Sequence, residues 1–383
     1  MNAGVYLHTP FCRSRCSYCD FATGMFESTT AERYVGAMTK EIARWQEVET
    51  PAEVDTIYFG GGTPSLLSID QIESILTEVR NHFEVTADAE VTLEINPGDG
   101  GLSDEERRGT MRAWRGLGIN RASFGAQTFD DHELKMLGRT HDASDVRTTF
   151  ALLRDAGFTN INFDLIAGLP AQTMGGWKRN LAEALKLRPE HLSLYLLDVH
   201  EGTPLADQIK RGMRPKPDDD LAAEMYAFMI DQVTAAGYQH YEISNFCLPG
   251  FEARHNTKYW IGAPYYGFGN SAHSYDGARR RWANERDAAK YVESIAHQDL
   301  PIVEHTNLSE DNARSESIFL GLRLMRGIDL QMYESRFGRN LREEYNGELD
   351  RLSEAGLIEF DGELLKLTTR GALLSNEVFA ALA

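Results

Sequence analysis

Six short runs of apolar or alternating residues recur through the first half of this 383-residue chain, with helix-patterned stretches between them. The predicted strands cover residues 5–9, 55–59, 90–95, 121–125, 160–166 and 191–197. The predicted helices between them are Thr30–Trp45, Ile69–Asn81, Asp104–Gly116, Asp142–Gly157 and Thr173–Leu187. Several of these helices begin after Ser, Thr or Asp and end at Gly, as helix caps require. Strands that alternate with helices indicate βα units around a parallel sheet.

Six βα units are fewer than a closed eightfold barrel needs, so we predict an α/β fold with an open, partial (β/α)6 barrel. Its ligands should lie at the carboxyl ends of the strands. The βα rhythm ends near residue 280, which predicts one domain over 1–280 and a smaller, mainly helical one over 281–383. The second domain should contain the helices Ser309–Met325, Leu330–Phe337 and Leu341–Ala355. It should end in a winged-helix-like hairpin that turns at Asp361-Gly362.

The charge balance restricts the partners of the chain. With 58 acidic and 39 basic residues, the formal net charge is −19, which repels phosphate backbones and disfavours nucleic acid as a partner. The short basic cluster Arg279–Arg281 is typical of a solvated loop. No apolar run approaches the roughly eighteen residues of a transmembrane segment, and no secretory signal precedes the first strand. We therefore expect a soluble, cytoplasmic protein.

Three of the four cysteines lie within the first twenty residues: Cys12, Cys16 and Cys19, in C-x3-C-x2-C spacing. Thiolates are the usual ligands of iron–sulfur clusters. A single loop with three of them can hold three irons of a 4Fe-4S cube and leave the fourth iron open to a small ligand. The distant Cys247 is expected to be a buried or incidental thiol. The first hypothesis is therefore an iron–sulfur cluster with one exchangeable position.

Zinc and disulfide sites are the alternatives for these cysteines. Zinc could take His8 or Asp20 as a fourth ligand, but structural zinc sites usually pair two separated knuckles, and no second knuckle follows. Four cysteines in a chain of this length are too few for a secreted disulfide scaffold. The least favoured hypothesis is a protein that binds a structural zinc ion or that acts only through protein interactions.

A set of longer motifs extends the cysteine pattern along the chain. They are VYLHTPFCRSRCSYCDF, YFGGGTPSLL, LEINPG, SFGAQTF, LGRTH, FDLIAGLP, LYLLDVHEGTPL, GYQHYEISNF, RHNTKYW and GFGNSAHSY. Over nearly its whole length the chain resembles the coproporphyrinogen-oxidase-like group of radical S-adenosylmethionine (SAM) proteins. The resemblance implies a radical SAM barrel, a 4Fe-4S cluster whose open iron takes the amino and carboxylate groups of SAM, and a low-potential electron donor.

Two branches of this group differ at one position. The oxygen-independent coproporphyrinogen III oxidases have a fourth cysteine two residues after the third, where this chain has Phe21. Together with RHNTKYW, this favours the HemW-like heme chaperone branch, which implies that the chain binds cluster, SAM and heme and transfers heme to an unidentified acceptor protein. The alternative is a radical SAM enzyme acting on a tetrapyrrole, by coproporphyrinogen III decarboxylation or heme degradation. Whether the chain is an enzyme stays open.

The resemblance also implies which residues contact SAM. They are Tyr6, Tyr18, Gly61, Gly62, Thr63, Glu94, Gln127, Arg139 and Asp164. Aromatic rings suit an adenine and a sulfonium, glycines let backbone approach a ligand, and an arginine fork suits a carboxylate. The alternative to SAM binding is a purely structural role for the same residues, in core packing, internal salt bridges or helix caps. Asp198 and His200 follow the sixth strand and are further candidates for the pocket.

The motif RHNTKYW implies the heme site. His255 can supply an imidazole to heme iron, and His273 is the competing ligand. Tyr259 and Trp260 could flank a macrocycle, while Arg254 and Lys258 could meet propionates.

Overall fold

The computed structural model describes residues 1–49, 53–98 and 101–382, so that Ala383, the end of the predicted second domain, lies outside it. Its strands are numbered in chain order. They are β1 (Ala3–Thr9), β2 (Phe11–Cys12), β3 (Gly24–Met25), β4 (Glu53–Gly61), β5 (Glu84–Ile95), β6 (Arg121–Gln127), β7 (Ile161–Ala167), β8 (His191–Leu196), β9 (Gln239–Glu242), β10 (Asn245–Cys247), β11 (Tyr265–Phe268), β12 (His273–Tyr275), β13 (Arg280–Asn284), β14 (Ile302–Asn307), β15 (Ile328–Asp329), β16 (Ile358–Asp361) and β17 (Leu364–Leu367).

The α-helices are numbered in the same way. They are α1 (Ser28–Ala43), α2 (Ile69–His82), α3 (Asp104–Gly116), α4 (Asp131–Met136), α5 (Ala143–Asp155), α6 (Met174–Leu187), α7 (Pro204–Lys210), α8 (Asp219–Ala235), α9 (Arg254–Trp260), α10 (Ala288–Ala296), α11 (Glu310–Leu322), α12 (Leu330–Phe337), α13 (Leu341–Glu344), α14 (Asn346–Glu354), α15 (Thr369–Leu373) and α16 (Ser375–Leu382). The predicted helix Asp104–Gly116 is found with the same bounds.

One large sheet carries the fold. Its order is β14-β13-β12-β11-β1-β4-β5-β6-β7-β8-β10-β9. The six predicted strands are β1, β4, β5, β6, β7 and β8, which lie side by side in chain order and pair in parallel. Strand β11 continues the parallel arrangement beyond β1, and antiparallel strands complete both edges. The predicted partial α/β barrel is confirmed.

The two faces of the parallel strands differ in chemistry. Residues such as Leu7, Phe59 and Leu165 are fully buried in the hydrophobic core, and each contributes about 2 kcal/mol by leaving water. Side chains alternate along a strand, so the neighbouring positions face the barrel interior. Those positions hold polar residues, among them Glu94 and Asp164, which face the cavity described below. The sequence therefore supplies an apolar outer layer and a polar interior.

Helix caps fix where the helices start. Ser68 and Ser103 each accept a hydrogen bond from the backbone N–H three residues later and complete capping boxes with Gln71 and Glu106. Such caps contribute about 1 kcal/mol each. These helices run back along the sheet and return the chain to the next parallel strand.

The C-terminal part has a small sheet of order β15-β17-β16 among short helices, which agrees with the predicted winged-helix-like ending. Two details of the prediction were wrong. The helix predicted over Leu341–Ala355 is interrupted at Tyr345 and forms α13 and α14. The hairpin turns at Gly362-Glu363, because Asp361 still pairs with Leu364.

Strands also continue past the point where helices were expected to dominate. Both β13 and β14 lie in the large sheet and extend it to Asn307. We propose that the smaller unit begins near residue 308, after the last strand of that sheet. No helix in the described ranges has the length and apolar character that crossing a membrane requires.

Candidate functional site

A cavity of about 670 Å³ opens at the carboxyl ends of the parallel strands. Its size is in the usual range for sites that bind small molecules. The residues that line it include Cys12, Cys16 and Cys19 together with Tyr18, Gly61, Gly62, Thr63, Glu94, Gln127, Arg139 and Asp164. The structure thus brings the three cysteines and eight of the nine predicted SAM contacts around one space.

The cysteine loop is held through Ser17, the residue after its second cysteine. The Ser17 N–H donates to the Leu137 carbonyl over 2.9 Å, and the Ser17 hydroxyl donates to the Met136 carbonyl over 3.2 Å. On the other side, the Leu205 N–H donates to the Ser17 carbonyl over 2.8 Å. The loop is therefore fixed against the end of α4 and the start of α7.

Two polar side chains approach the sulfurs. The Thr63 hydroxyl lies 3.7 Å from Cys12 Sγ, and Arg139 Nη1 donates to Cys16 Sγ over 3.3 Å. Burial raises the pKa of the Cys12 thiol, although the hydrogen bond from Thr63 acts in the opposite direction. Burial likewise raises the pKa of the Cys19 thiol. Such donors favour a charged sulfur, as a cluster ligand requires.

The donor set fits a cluster in which each sulfur binds a different iron. In the described residues, no group of three or more His, Cys, Asp or Glu side chains is arranged to hold a single metal ion. Zinc ligands must converge on one ion, whereas the ligands of a cube need not. Moreover, the His8 ring is hydrogen-bonded to the Tyr6 hydroxyl (3.2 Å) and the Ala22 carbonyl (3.3 Å). His8, one of the two possible fourth ligands for zinc, is therefore already engaged in hydrogen bonds inside the protein.

The glycine turn after β4 lies against the cysteine loop. The Gly62 N–H donates to the Thr9 carbonyl over 2.7 Å, and a Cβ on Gly62 would lie only 2.6 Å from the Phe11 carbonyl oxygen. Gly61 has a φ of +107°, a conformation that glycine adopts at little cost. The close approach of the two segments therefore requires glycine, whatever else these residues bind.

A chain of hydrogen bonds connects this turn to the cysteine loop. Asn96 Nδ2 donates to Thr63 Oγ1 over 2.7 Å, and Arg139 Nη2 donates to Asn96 Oδ1 over 2.8 Å. Arg139 continues the chain to Cys16. Sequence reasoning missed Asn96, which directly follows the end of β5 and lines the same cavity as Glu94.

Two carboxylates lie in the cavity wall. The Tyr58 hydroxyl donates to Glu94 Oε1 over 2.7 Å, and Asn162 Nδ2 donates to Asp164 Oδ1 over 2.7 Å. Burial, with a smaller effect of the Asp164 charge, raises the pKa of Glu94 to about 7. Burial also raises the pKa of Asp164. Each can accept hydrogen bonds from hydroxyl or ammonium groups of a ligand.

Arg121 is a further cavity residue that sequence reasoning missed. It is 1% exposed, and within the described ranges its Nε and Nη1 atoms have no hydrogen-bond partner. A guanidinium stays charged when buried. Its charge favours the ionised forms of the Glu94 and Asp164 carboxylates and so acts to lower the pKa of each. The sequence feature that could have identified Arg121 is its position in a predicted strand two residues before Ser123, which places both side chains on the inner face.

The two predicted aromatic contacts of SAM are placed differently. Tyr18 lines the cavity, whereas Tyr6 is not among the lining residues. The Tyr6 ring instead stacks on Tyr58, with 6.1 Å between ring centroids. Asp198 and His200 line the same cavity, and His200 Nε2 is 3.8 Å from Asp198 Oδ2.

The candidate heme ligand His255 is fully buried on α9. Its Nδ1 is 2.9 Å from Thr56 Oγ1, and its Nε2 is 2.9 Å from the Tyr259 hydroxyl. Burial and the nearby Lys258 charge lower the pKa of His255 to about 3. The ring is therefore neutral, and both nitrogens are engaged in this conformation. The competing His273 is exposed and is not among the cavity residues.

The sequence and the structure of the chain are both similar to those of known proteins. The model of the radical SAM superfamily matches residues 6–184, and that of the HemN C-terminal domain matches residues 308–374. The solved structure of coproporphyrinogen III oxidase (HemN) from Escherichia coli superposes with a TM-score of 0.85 at 24% identity, covering 100% of this chain and 90% of that one.

Curated relatives extend the similarity over the full length. The heme chaperone HemW of Bacillus subtilis is 35% identical over 98% of both chains. That of Mycobacterium tuberculosis (strain H37Rv) is 36% identical over 99% of this chain and 94% of the relative. The mitochondrial radical S-adenosyl methionine domain-containing protein 1 of Bos taurus is 32% identical, with 99% and 87% covered. The chain belongs to the HemW family of the radical SAM superfamily.

Proposed function

We propose that this protein is a heme chaperone that holds a 4Fe-4S cluster, binds SAM and heme, and transfers heme to an acceptor protein in the cytoplasm. The observation that carries the proposal is the full-length similarity to proteins named heme chaperone HemW, combined with three thiols that line one cavity.

The cluster would be held by the thiolates of Cys12, Cys16 and Cys19. When bound, it supplies one iron for SAM and a low-potential electron. Arg139 supports this site by donating to Cys16 Sγ and, through Asn96, by positioning Thr63 beside Cys12.

The cavity wall offers complementary groups to the parts of SAM. The Arg139 guanidinium suits a carboxylate, while the carboxylates of Glu94 and Asp164 suit ribose hydroxyls or an ammonium. Tyr18 presents an aromatic ring to an adenine or a sulfonium, and the Gln127 amide can donate and accept hydrogen bonds. Arg121 supports binding indirectly, because its buried positive charge favours the ionised forms of both carboxylates.

His255 is our proposed ligand of the heme iron. Because both of its ring nitrogens are hydrogen-bonded inside the protein, heme binding by His255 requires α9 to move away from β4. Arg254 and Lys258, which pair with Asp55 at 3.3 Å and 2.6 Å, would also be released by that movement. Both would then be available to propionates.

Phe21 distinguishes this proposal from a coproporphyrinogen III oxidase. It stands where the oxidases carry their fourth cysteine, and its side chain is 63% exposed. We therefore expect no decarboxylation of coproporphyrinogen III.

The decisive experiment combines two assays on the reconstituted protein. A hemin titration should give a Soret shift, and the heme should then pass to an apo-hemoprotein acceptor. After incubation with coproporphyrinogen III, SAM and a reductant, mass spectrometry should find no product that has lost carbon dioxide. Appearance of the decarboxylated product would refute the proposed function, and so would a failure to bind hemin.

A further inference from the structure

Arg121 carries a buried positive charge to which the protein gives no partner. It stands at the start of β6, is almost completely buried and lines the cavity. Its Nε and Nη1 atoms have no hydrogen-bond partner, and in the described ranges no carboxylate forms an ion pair with its guanidinium. Other arginines with an unpartnered Nε still pair with an acid, as Arg281 does with Glu316 and Arg314 with Glu344. Because a buried charge is costly unless it is paired, Arg121 indicates a position for an anion.

The two carboxylates in the cavity wall do not fill this position. The Tyr58 hydroxyl donates to Glu94, and Asn162 Nδ2 donates to Asp164. Neither carboxylate lies within ion-pair distance of the Arg121 guanidinium, which acts on them through its charge alone. Burial raises the pKa of both carboxyl groups, which reduces the negative charge that they can set against Arg121.

A second unpartnered donor lies beside Arg121. Thr92 on β5 is the register partner of Arg121, and register partners in a parallel sheet project their side chains from the same face. The Thr92 hydroxyl is fully buried and has no hydrogen-bond partner. Buried polar groups without partners are few in folded proteins, and two side by side indicate a missing ligand. Water could satisfy the hydroxyl, but it would not neutralise the guanidinium.

The same layer of the barrel leads to His255. Thr92 is also the register partner of Tyr58 on β4, and 5.2 Å separates the centroids of the Tyr58 and His255 rings. The backbones of Tyr58 and Arg121 are two strand spacings apart, which is about 10 Å. Asn256, the neighbour of His255 on α9, lines the cavity together with Arg121. Arg121 is therefore placed to meet the acidic edge of a flat ligand whose centre is held by His255.

This position is separate from the one expected for the carboxylate of SAM. That carboxylate belongs beside the cysteine loop, where Arg139 contacts Cys16. Gln127, a predicted SAM contact, ends β6, whereas Arg121 begins the strand. Six residues of strand span roughly 20 Å. A ligand group at Arg121 would therefore lie in the inner part of the cavity, far from the cysteines.

We propose that Arg121 and the Thr92 hydroxyl form a carboxylate-binding subsite in the inner part of the cavity, and that its ligand is a propionate of the tetrapyrrole whose iron His255 would hold. The inference rests on the proposed heme-binding function. The movement of α9 that frees His255 also uncovers this part of the cavity, because Asn256 moves with it. A guanidinium forms strong, charge-assisted hydrogen bonds with a carboxylate, and buried surroundings strengthen them.

The test uses protoporphyrin IX, which has both propionates but no iron, so that its binding needs no axial ligand. Its fluorescence is titrated with wild type and with Arg121→Gln, and the uncharged dimethyl ester of the same porphyrin is titrated in parallel. Wild type should prefer the diacid by about tenfold, as a charge-assisted hydrogen bond predicts. Arg121→Gln should lose most of this preference, whereas Arg147→Gln, outside the cavity, should keep it. An undiminished preference in Arg121→Gln would overturn the subsite.

Thr92→Val keeps the test decisive if Arg121→Gln fails to fold, because it removes one hydroxyl and preserves the shape of the side chain. It should weaken the binding of protoporphyrin IX several-fold. Thr86→Val is the matched control, since Thr86 lies six residues earlier on β5 and its hydroxyl is also unpartnered. Thermal unfolding checks that both variants are folded. Unchanged binding in Thr92→Val, or an equal loss in Thr86→Val, would contradict the proposal.

A comparison of SAM with decarboxylated SAM identifies the source of the carboxylate. In calorimetric titrations, removal of the carboxylate should weaken binding by the same factor in wild type and in Arg121→Gln. If Arg121→Gln no longer distinguished the two compounds, the carboxylate at Arg121 would be that of SAM. That result would overturn the assignment to a tetrapyrrole.

His255→Ala separates this inference from the proposed heme ligand. The variant should lose the Soret shift of hemin but bind protoporphyrin IX no more weakly than wild type. A Soret shift that survives in His255→Ala would remove the heme ligand, and porphyrin binding that depends on Arg121 would still support the subsite. Failure of wild type to bind protoporphyrin IX would refute the subsite itself.

Discussion

Arg139 donates a hydrogen bond from Nη1 to Cys16 Sγ over 3.3 Å, while its Nη2 donates to the Gly125 carbonyl at the end of β6 over 2.9 Å. One guanidinium thus couples the cysteine loop to the barrel. The positive charge of Arg139 therefore lies next to a sulfur of the proposed cluster. Net charge and hydrogen bonds to the sulfurs are among the factors that set the reduction potential of a cluster.

Replacing this arginine should therefore change the potential. In Arg139→Gln, the reduced and more negative cluster loses its nearest cation, so the midpoint potential should shift to a more negative value in a spectroscopic redox titration. Arg147→Gln, which breaks the distant pair with Glu183, should leave the potential unchanged. A positive shift in Arg139→Gln would show that the guanidinium does not act through its charge.

The three N-terminal cysteines should differ from the fourth in metal binding. Each of the variants Cys12→Ser, Cys16→Ser and Cys19→Ser should lose most of the iron found after anaerobic reconstitution, as measured by iron and sulfide analysis. Cys247→Ser is the matched control, because Cys247 is buried and burial raises the pKa of its thiol to about 12. Iron loss in Cys247→Ser of the same size would contradict the assignment.

Glu41 should make stability depend on pH. It is buried on α1 and accepts from the Tyr291 hydroxyl (2.5 Å), Asn284 Nδ2 (2.6 Å) and the Gly269 N–H (2.9 Å). Burial raises the pKa of Glu41 from 4.5 to about 7. Because the folded value is the higher one, its stabilising contribution is complete below pH 4.5 and is lost as the pH rises through 7.

The loss should be on the order of 3 kcal/mol in the free energy of unfolding between pH 4.5 and pH 8. Urea unfolding measures it as the difference between wild type and Glu41→Gln, which should lack this part of the pH dependence. The exposed Glu32→Gln on the same helix should keep it. Parallel pH profiles of wild type and Glu41→Gln would disprove the assignment.

The position of His255 predicts an effect on heme affinity. Thr56→Val keeps the shape of the side chain but removes the hydroxyl next to His255 Nδ1. One hydrogen bond holds the closed position of α9 with about 1 kcal/mol, so hemin should bind several-fold more tightly once it is gone. The double variant Thr56→Val with His255→Ala should show no such gain, and weaker binding in Thr56→Val would argue against a closed, inhibited position.

The parallel strands were predictable because their apolar outer residues and intervening capped helices repeat at a regular spacing. The sequence placed the helix Asp104–Gly116 without error, since Ser103 and Glu106 form its capping box. Strands β13 and β14 were not recognised, because ARRRWAN contains three consecutive arginines and IVEHTN is an exposed edge strand, so that neither shows an apolar period. Their place in the sheet depends on tertiary contacts, because β13 pairs with β12 and β14 pairs with β13.

The candidate site was predictable where the residue type and its spacing in the sequence already indicate a function, as for the three cysteines. The cysteines and the residues after each strand meet in one cavity because parallel strands end at one edge. Asn96 and Tyr58 were missed because each acts through a hydrogen bond to a predicted residue, and Arg121 was missed because it acts through the effect of its charge on Glu94 and Asp164. The sequence also could not show that His255 is engaged inside the protein, because its partner Thr56 lies 199 residues away in the chain.

We propose that three N-terminal thiols hold a 4Fe-4S cluster with one iron open to SAM. Electron paramagnetic resonance of the anaerobically reconstituted, reduced protein tests this most directly, recorded with and without SAM. We predict a 4Fe-4S signal whose g values change when SAM is added and which is absent in Cys16→Ser. A spectrum that SAM leaves unaltered, or a reconstituted protein without bound iron, would show that these thiols do not hold such a cluster.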